Sequence, residues 1–288
     1  TINPDQELSQ AELNKFEVGV VNIEQNEDRY VLPPGIERER LQGSTTVQQQ
    51  NEQSVSMTVN DLPQNKIRAI YKNISIDLRR YKELKMFMHV EPVITGSVAS
   101  GDLSAIIRLG TDLNDNFYQL ELPLEVSPNG SLNPLDVWPE ANNLDAVLEE
   151  LGRVKLARDV AQAPSTELFT GDPIEGSDLV LRVKGNPTLA QIRTVMLGVR
   201  NNSLVEKSAE IWFNELRAFG FDNDGGWAAV VSADANFADV ANVSMTGRMQ
   251  TVGFGNVEDR VSQRSLDETK QYDIFTSINL GKMMPKKW

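Results

Sequence analysis

Apolar and polar residues alternate one for one through most of this chain, in short stretches separated by turn-forming residues. Val55, Met57 and Val59 alternate with Ser and Thr, and Leu84, Met86, Met88 and Val90 repeat the pattern, as do Tyr118, Leu120, Leu122 and Leu124. Side chains of a strand point to opposite faces in turn, so a period of two marks strands with one buried side. Further strand candidates are residues 16–23 (FEVGVVNI), then Ile74, Ile76 and Leu78, then Ile106, Ile107 and Leu109. Leu179, Leu181 and Val183, then Val195, Leu197 and Val199, then Ile211 and Phe213 continue the series. One helix interrupts it. Leu144, Val147, Leu148, Leu151 and Val154 recur at helical spacing, with Asn143 or Asn142 as cap and Asp145 in the first turn. Many short strands with a single embedded helix predict a mainly β fold, an antiparallel jelly-roll-like β-sandwich over residues 16–220.

Before and between the strands, composition marks the loops. Residues 1–15 read as a polar arm, and residues 24–53, rich in Gln, Asn and Glu and broken by Pro33-Pro34-Gly35, as a long loop. A formal charge of -13 over 288 residues, with basic groups scattered, excludes a nucleic-acid surface. The absence of cysteine excludes disulfides and thiolate zinc sites. No run of about 18 apolar residues is present, so no membrane helix is expected. The chain starts on a polar stretch unlike a signal peptide and stops just after a strand-like segment, so both ends are expected to continue in a longer protein.

The pattern changes after residues 221–226, a turn-rich hinge. In the segment 227–288, strands are expected at about 227–237, 243–250 and 271–280. Trp227, Ala229, Val231, Ala233, Ala235 and Phe237 form one face of the first, with Ala228, Val230, Ser232, Asp234 and Asn236 on the other. Val243, Met245, Gly247 and Met249 oppose Ser244, Thr246, Arg248 and Gln250 in the second. Tyr272, Ile274, Thr276, Ile278 and Leu280 oppose Gln271, Asp273, Ser277 and Asn279 in the third, with Phe275 the exception. Strands of roughly 9–11 residues tilted near 45° span an outer membrane. Asp234, Arg248 and Asp273 all fall on the polar parity, which suits a channel-facing side. The same alternation also suits a half-exposed soluble sheet. On the membrane reading, the short connection 238–242 is periplasmic and the long one, 251–270, extracellular, because barrel loops are longer outside. The strand from Trp227 then descends, which puts the sandwich on the extracellular side; residues 281–285 would form a second periplasmic turn. Three strands cannot close a barrel, so the rest of the wall must come from elsewhere.

Candidate chemistry is sparse. His89 is the only histidine, with no second one to share a metal and no G-x-S-x-G elbow for a triad. Asn214-Glu215 resembles an acid/base pair of some barrel glycosidases, but the repeating βα scaffold is missing; the bland reading is a strand with Trp212, Asn214 and Leu216 on one face. The run from Asp112 to Asn116 partly matches a calcium loop, yet Phe117 stands at the glycine position and Pro123 at the glutamate position. An Asx-rich turn is expected there, with weak calcium binding near Asp112 or Asp222 left open. Gly253-Phe254-Gly255 reads as a flexible loop tip rather than a dinucleotide site. No catalytic, cofactor-binding or metal-ligating residue is assigned, and the chain is not expected to be an enzyme.

Residues 71–91 (YKNISIDLRRYKELKMFMHVE) resemble a segment of the SprA/Sov family, as do 16–22 (FEVGVVN), 33–39 (PPGIERE), 184–187 (KGNP) and 196–201 (MLGVRN). The blocks 210–217 (EIWFNELR), 225–229 (GGWAA), 246–255 (TGRMQTVGFG), 270–273 (KQYD) and 280–287 (LGKMMPKK) extend the resemblance along nearly the whole chain. The resemblance implies an internal piece of the giant outer-membrane translocon of type IX secretion, associated with gliding motility in Bacteroidota. Such a barrel passes folded cargo proteins to the cell surface. Its partners would be the rest of the barrel, a PorV-type shuttle barrel, a periplasmic plug, secreted cargo and outer-membrane lipid. Two other functions are weighed against it. A surface carbohydrate-binding module would need Trp138, Tyr118 and Trp212 exposed on one face, and a glycosidase would turn on Glu215.

Overall fold

The computed structural model describes residues 15–38, 50–238, 240–255 and 264–283. The chain divides into two compact units, Thr1–Phe221 and Asp222–Trp288. Antiparallel strands dominate both. Among the described residues of the first unit they are β1 (Phe16–Asn22), β2 (Gln53–Leu62), β3 (Ile67–Ile76), β4 (Glu83–Pro92), β5 (Leu103–Gly110), β6 (Phe117–Pro123), β7 (Leu144–Val147), β8 (Phe169–Thr170), β9 (Val180–Lys184), β10 (Ile192–Asn201) and β11 (Lys207–Phe219).

Two sheets form, ordered β1-β2-β11-β4-β7 and β3-β10-β5-β6-β9-β8. Their inner faces share one core. Met57 and Val59 of β2, Met88 and Val90 of β4, and Ile211 and Phe213 of β11 meet Ile107 and Leu109 of β5, Leu120 of β6 and Val199 of β10. Consecutive strands cross repeatedly between the layers: β2 lies in the first sheet, β3 in the second, β4 in the first, β5 and β6 in the second and β7 in the first.

The helix starts later than the sequence spacing predicts. Leu144–Val147 is the edge strand β7, paired to β4 with Leu84 opposite Ala146 and Lys85 opposite Asp145. Leu144 and Ala146 point into the core while Asp145 and Val147 face out, so period two governs these residues. The helix α2 runs Leu148–Val160, and its N-cap, Val147, makes no side-chain cap bond. Asn142 instead lies buried and bonds the backbone of Glu125 through both its oxygen (2.7 Å) and its nitrogen (2.8 Å). Leu148, Leu151, Val154 and Arg158 are the buried stripe of α2. Arg158 donates to Gly185 O and Asn186 Oδ1, and Lys155 donates to Pro187 O. The 184–187 block is therefore the seat of this helix. A shorter helix, α1 (Pro134–Val137), is capped by Asn133, whose side chain accepts from Leu135 N.

The outer face of the first sheet carries a second, smaller core. Tyr30 and Val21 pack there with Val137, Trp138 and Trp212. The described part of the 24–53 loop thus lies over the sheet, with Trp138 Nε1 donating to Val31 O at 2.9 Å.

The second unit is a three-stranded sheet, β12 (Ala228–Phe237), β13 (Ala241–Gln250) and β14 (Thr269–Ile278), followed by the one-turn helix α3 (Leu280–Met283). β13 begins two residues earlier than expected, because Ala241 and Asn242 pair with Phe237 and Asn236 on one side and Ile278 and Ser277 on the other. The third strand likewise starts at Thr269, and Leu280 belongs to α3 instead. Residues 281–283 are thus helical rather than an open turn, and 284–285 lie outside the described residues.

Candidate functional site

The feature of this chain with the clearest functional geometry is the sheet of the second unit. Its ladders run ten residues each without a bulge, β12 to β13 and β13 to β14. Unbroken register keeps parity across all three strands, so each face is a true set. On one face the cross-strand rows read Val231–Gly247–Tyr272, Ala233–Met245–Ile274 and Ala235–Val243–Thr276. Val231 is 68% exposed and Ile274 59%, so this apolar face is uncovered among the described residues. Trp227 lies at one end of it and Phe237 at the other, with Tyr272 in the row of Val231.

The opposite face carries the rows Val230–Arg248–Gln271, Ser232–Thr246–Asp273 and Asp234–Ser244–Phe275. Ser244 Oγ donates to Asp234 Oδ1 at 2.6 Å. A hollow of about 390 Å³ on this side is lined by Thr246, Arg248, Gln271 and Asp273, together with Phe254 from the following connection. Arg248 therefore lies on the side away from Met245 and Met249. Phe275, 71% exposed, remains the one large apolar residue of β14 on the polar face.

The connection at 251–255 is more ordered than a flexible tip. Gly253 N donates to Ser265 O at 2.7 Å and Ser265 N to Phe254 O at 2.8 Å. Gly253 has φ +84°, and a Cβ there would sit 2.3 Å from Asp224 O. Backbone meets backbone at this point, which is why glycine stands there. The role of Phe254 against the polar face was invisible in the sequence, because the loop has no period to read.

The chemistry-bearing residues of the first unit do not converge. His89 is buried, stacked on Trp212 at 3.9 Å between ring centroids, with Nδ1 2.7 Å from Val137 O. Beside it, Glu210 accepts from Arg29 (2.5 Å), Ser56 Oγ (2.6 Å) and Trp212 Nε1 (2.9 Å). Burial alone would push the Glu210 carboxyl up, but those donors hold it below the usual carboxylate range. This is a packed polar cluster under the 24–38 segment, a structural setting for His89.

Asn214 and Glu215 diverge. Asn214 Nδ2 donates to the Tyr30 hydroxyl in the outer cluster, while Glu215 lines a hollow with Phe213 and Leu216. Leu216 does not share a face with Trp212 and Asn214, contrary to expectation. The register of β11 against β4 slips between Asn214 and Arg217, and Glu215 has φ +52°. This bulge switches the parity, and Leu216 and Ala218 pack against the core. Burial pushes the Glu215 carboxyl up despite the Arg217 guanidinium beside it.

Asp112 closes an Asx turn. Its Oδ1 accepts from the backbone nitrogens of Asn114 (2.9 Å), Asp115 (2.6 Å) and Asn116 (3.0 Å), and its Oδ2 from Asn116 Nδ2 (2.9 Å). Both oxygens face donors of their own turn. Asp222 Oδ1 likewise accepts from Asp224 N at 2.9 Å. Among the described residues no cluster of three metal-ligating side chains occurs. The three aromatics needed for a glycan platform are all buried: Trp138 at 1%, Tyr118 at 3% and Trp212 at 0% exposure. Tyr118 also belongs to the other sheet.

Comparison with curated proteins finds no match for this chain. A family model, SprA_N, described as motility related/secretion protein, matches residues 3–288. That match covers both units, the sandwich with its docking blocks and the two-faced sheet alike, so the chain belongs to the SprA_N family of motility related/secretion proteins.

Proposed function

We propose that this segment is a structural part of the type IX secretion translocon, supplying wall strands and an external β-sandwich to a large outer-membrane β-barrel. The observation that carries the reading is the segregation of β12–β14. All three charges well inside the strands, Asp234, Arg248 and Asp273, share the polar face, and the apolar face is uncovered. Ten residues at about 3.3 Å each, tilted near 45°, rise about 23 Å, close to the roughly 25 Å apolar band of an outer-membrane barrel. Trp227 and Phe237, at the two ends of β12, stand where such barrels carry aromatic girdles. Lys270 shares the apolar parity, but it is the second residue of β14 and pairs with Glu268 at 2.7 Å, as suits a residue at the membrane–water boundary.

The outer edges of β12 and β14 pair with further strands of the same barrel in this reading, because lipid tolerates no open edge. The connection from β12 to β13 is the short periplasmic one and that from β13 to β14 the longer extracellular one. The chain enters β12 at the end from which that longer connection leaves, so the sandwich belongs on the extracellular side. Strand orders β2-β11-β4-β7 and β3-β10-β5-β6, with connections that cross between layers, support a jelly-roll assignment for it. The segment acts without catalysis or cofactor, and the channel exports folded cargo for gliding motility in Bacteroidota. Its partners are the remaining barrel, a PorV-type shuttle, a periplasmic plug and outer-membrane lipid.

Single cysteines test the two faces in the whole translocon, in cells, with a water-soluble maleimide. Ser232→Cys, Thr246→Cys and Asp273→Cys are expected to label, whereas Ala233→Cys, Met245→Cys and Ile274→Cys stay protected until detergent is added. Equal labelling of both sets would refute the wall assignment.

A further inference from the structure

We propose that the sandwich holds one single-chain fatty acid in an apolar slot between its two sheets, with the carboxylate at Lys72. The slot is a cavity of about 450 Å³, walled by Ile70 and Ile74 of β3, Val195 and Leu197 of β10, and Leu216 and Ala218 at the far end of β11. A second hollow of about 220 Å³ shares Val55, Leu197 and Leu216 with it, so the two adjoin. The slot opens to solvent on the side of Tyr71, Lys72 and Ile76, which are exposed, while its inner walls are apolar. Pockets for small ligands measure about 300–1,000 Å³ and are lined mostly by apolar groups with a few polar ones. The volume and the apolar walls suit one alkyl chain.

One charged side chain sets the direction of the occupant. Lys72 is the only charged residue among the described walls of the larger cavity, and it is exposed, which places its ammonium towards the opening. Glu215 lines the smaller hollow at the other side. A carboxylate head is drawn to Lys72, whereas Glu215 is already ion-paired to Arg217, so the chain runs inward towards Leu197 and Leu216. An extended peptide adding to β3 is the rival occupant, since β3 ends its sheet. A lysine on an edge strand is a device against such pairing, and Lys72 stands on β3. The slot lies wholly within the first unit, so the inference does not rest on the membrane reading of β12–β14.

Photo-crosslinking localises the ligand. The whole translocon in lipid nanodiscs is irradiated with a diazirine analogue of palmitic acid, and adducts are mapped by mass spectrometry. Adducts are expected in peptides covering residues 70–76 and 192–197. Ala218→Phe fills the slot and should cut that labelling by about tenfold or more, the loss that follows when a ligand's apolar contacts are denied. Lys72→Glu should cut it severalfold, and palmitate should compete better than its methyl ester. Thermal unfolding checks that the filled variant folds, and Val195→Phe serves as a second filling change. Adducts confined to residues 227–280 would overturn the site, as would labelling untouched by both filling variants. Equal labelling by a diacyl phospholipid probe would overturn the single chain. Displacement of the probe by an alternating apolar peptide but not by palmitate would establish strand addition instead.

Discussion

Trp212 is fully buried although it lies on the outer face of β11, because a segment far away in sequence folds over it. It touches His89, Tyr30 and Trp138 and donates to Glu210, with the Arg29 guanidinium 5.1 Å from its ring centroid. Trp212→Ala should destabilise the sandwich by about 3–5 kcal/mol, read by urea unfolding, since it removes a packed aromatic and leaves Glu210 short of a donor. Asp112 carries a pH signature. Burial alone would raise its carboxyl, but the donors of its own turn hold it at about 2 rather than 3.8. A depressed acid stabilises fully above the unfolded value and loses that contribution as pH falls through the folded one. Asp112→Ala should therefore cost about 1 kcal/mol at pH 7, discounted for its partial exposure, and the difference should shrink as pH falls through about 2. Stability compared across that range checks it.

At the scale of elements, spacing alone could not separate β7 from α2. Leu144, Val147 and Leu148 satisfy helical spacing, while Leu144 and Ala146 satisfy period two. Pairing with β4 decides the matter in favour of a strand. Within α2, Gly152 has open space where a Cβ would stand. Gly152→Ala is expected to raise stability by about 0.5–1 kcal/mol, measured as a higher urea midpoint with unchanged slope. Gly253 is the contrary case: alanine there would meet Asp224 O and a strained φ. Gly253→Ala should loosen the root of the connection between β13 and β14, seen as faster hydrogen exchange at Phe254 and Ser265. The bulge at Glu215 belongs to the same scale, because one inserted residue reverses the side that Leu216 and Ala218 face.

For the whole molecule, the two units obey different solvents in the proposed reading. The sandwich buries a shared core, whereas the sheet of β12–β14 leaves an apolar side open. Val231→Arg would place a cation in lipid at a cost of about 2–4 kcal/mol if near the midplane, while its neighbour Ser232→Arg would face the channel at little cost. Outer-membrane assembly of the full translocon, assayed by heat-modifiable gel mobility, should fall for Val231→Arg and persist for Ser232→Arg. Similar levels for both would argue for a sheet in water.

Local pattern was enough to reveal that this chain is built of antiparallel strands and which faces of β12, β13 and β14 are polar. Side-chain parity is set by the backbone itself, and these ladders have no bulge to disturb it. The family was legible too, from blocks such as residues 184–187, where α2 docks. Only the tertiary structure decided where α2 begins, which way Leu216 points, that Trp212 and Trp138 are hidden, and that a slot remains between the sheets. Each of those depends on contacts between residues distant along the chain, and no local period carries that information.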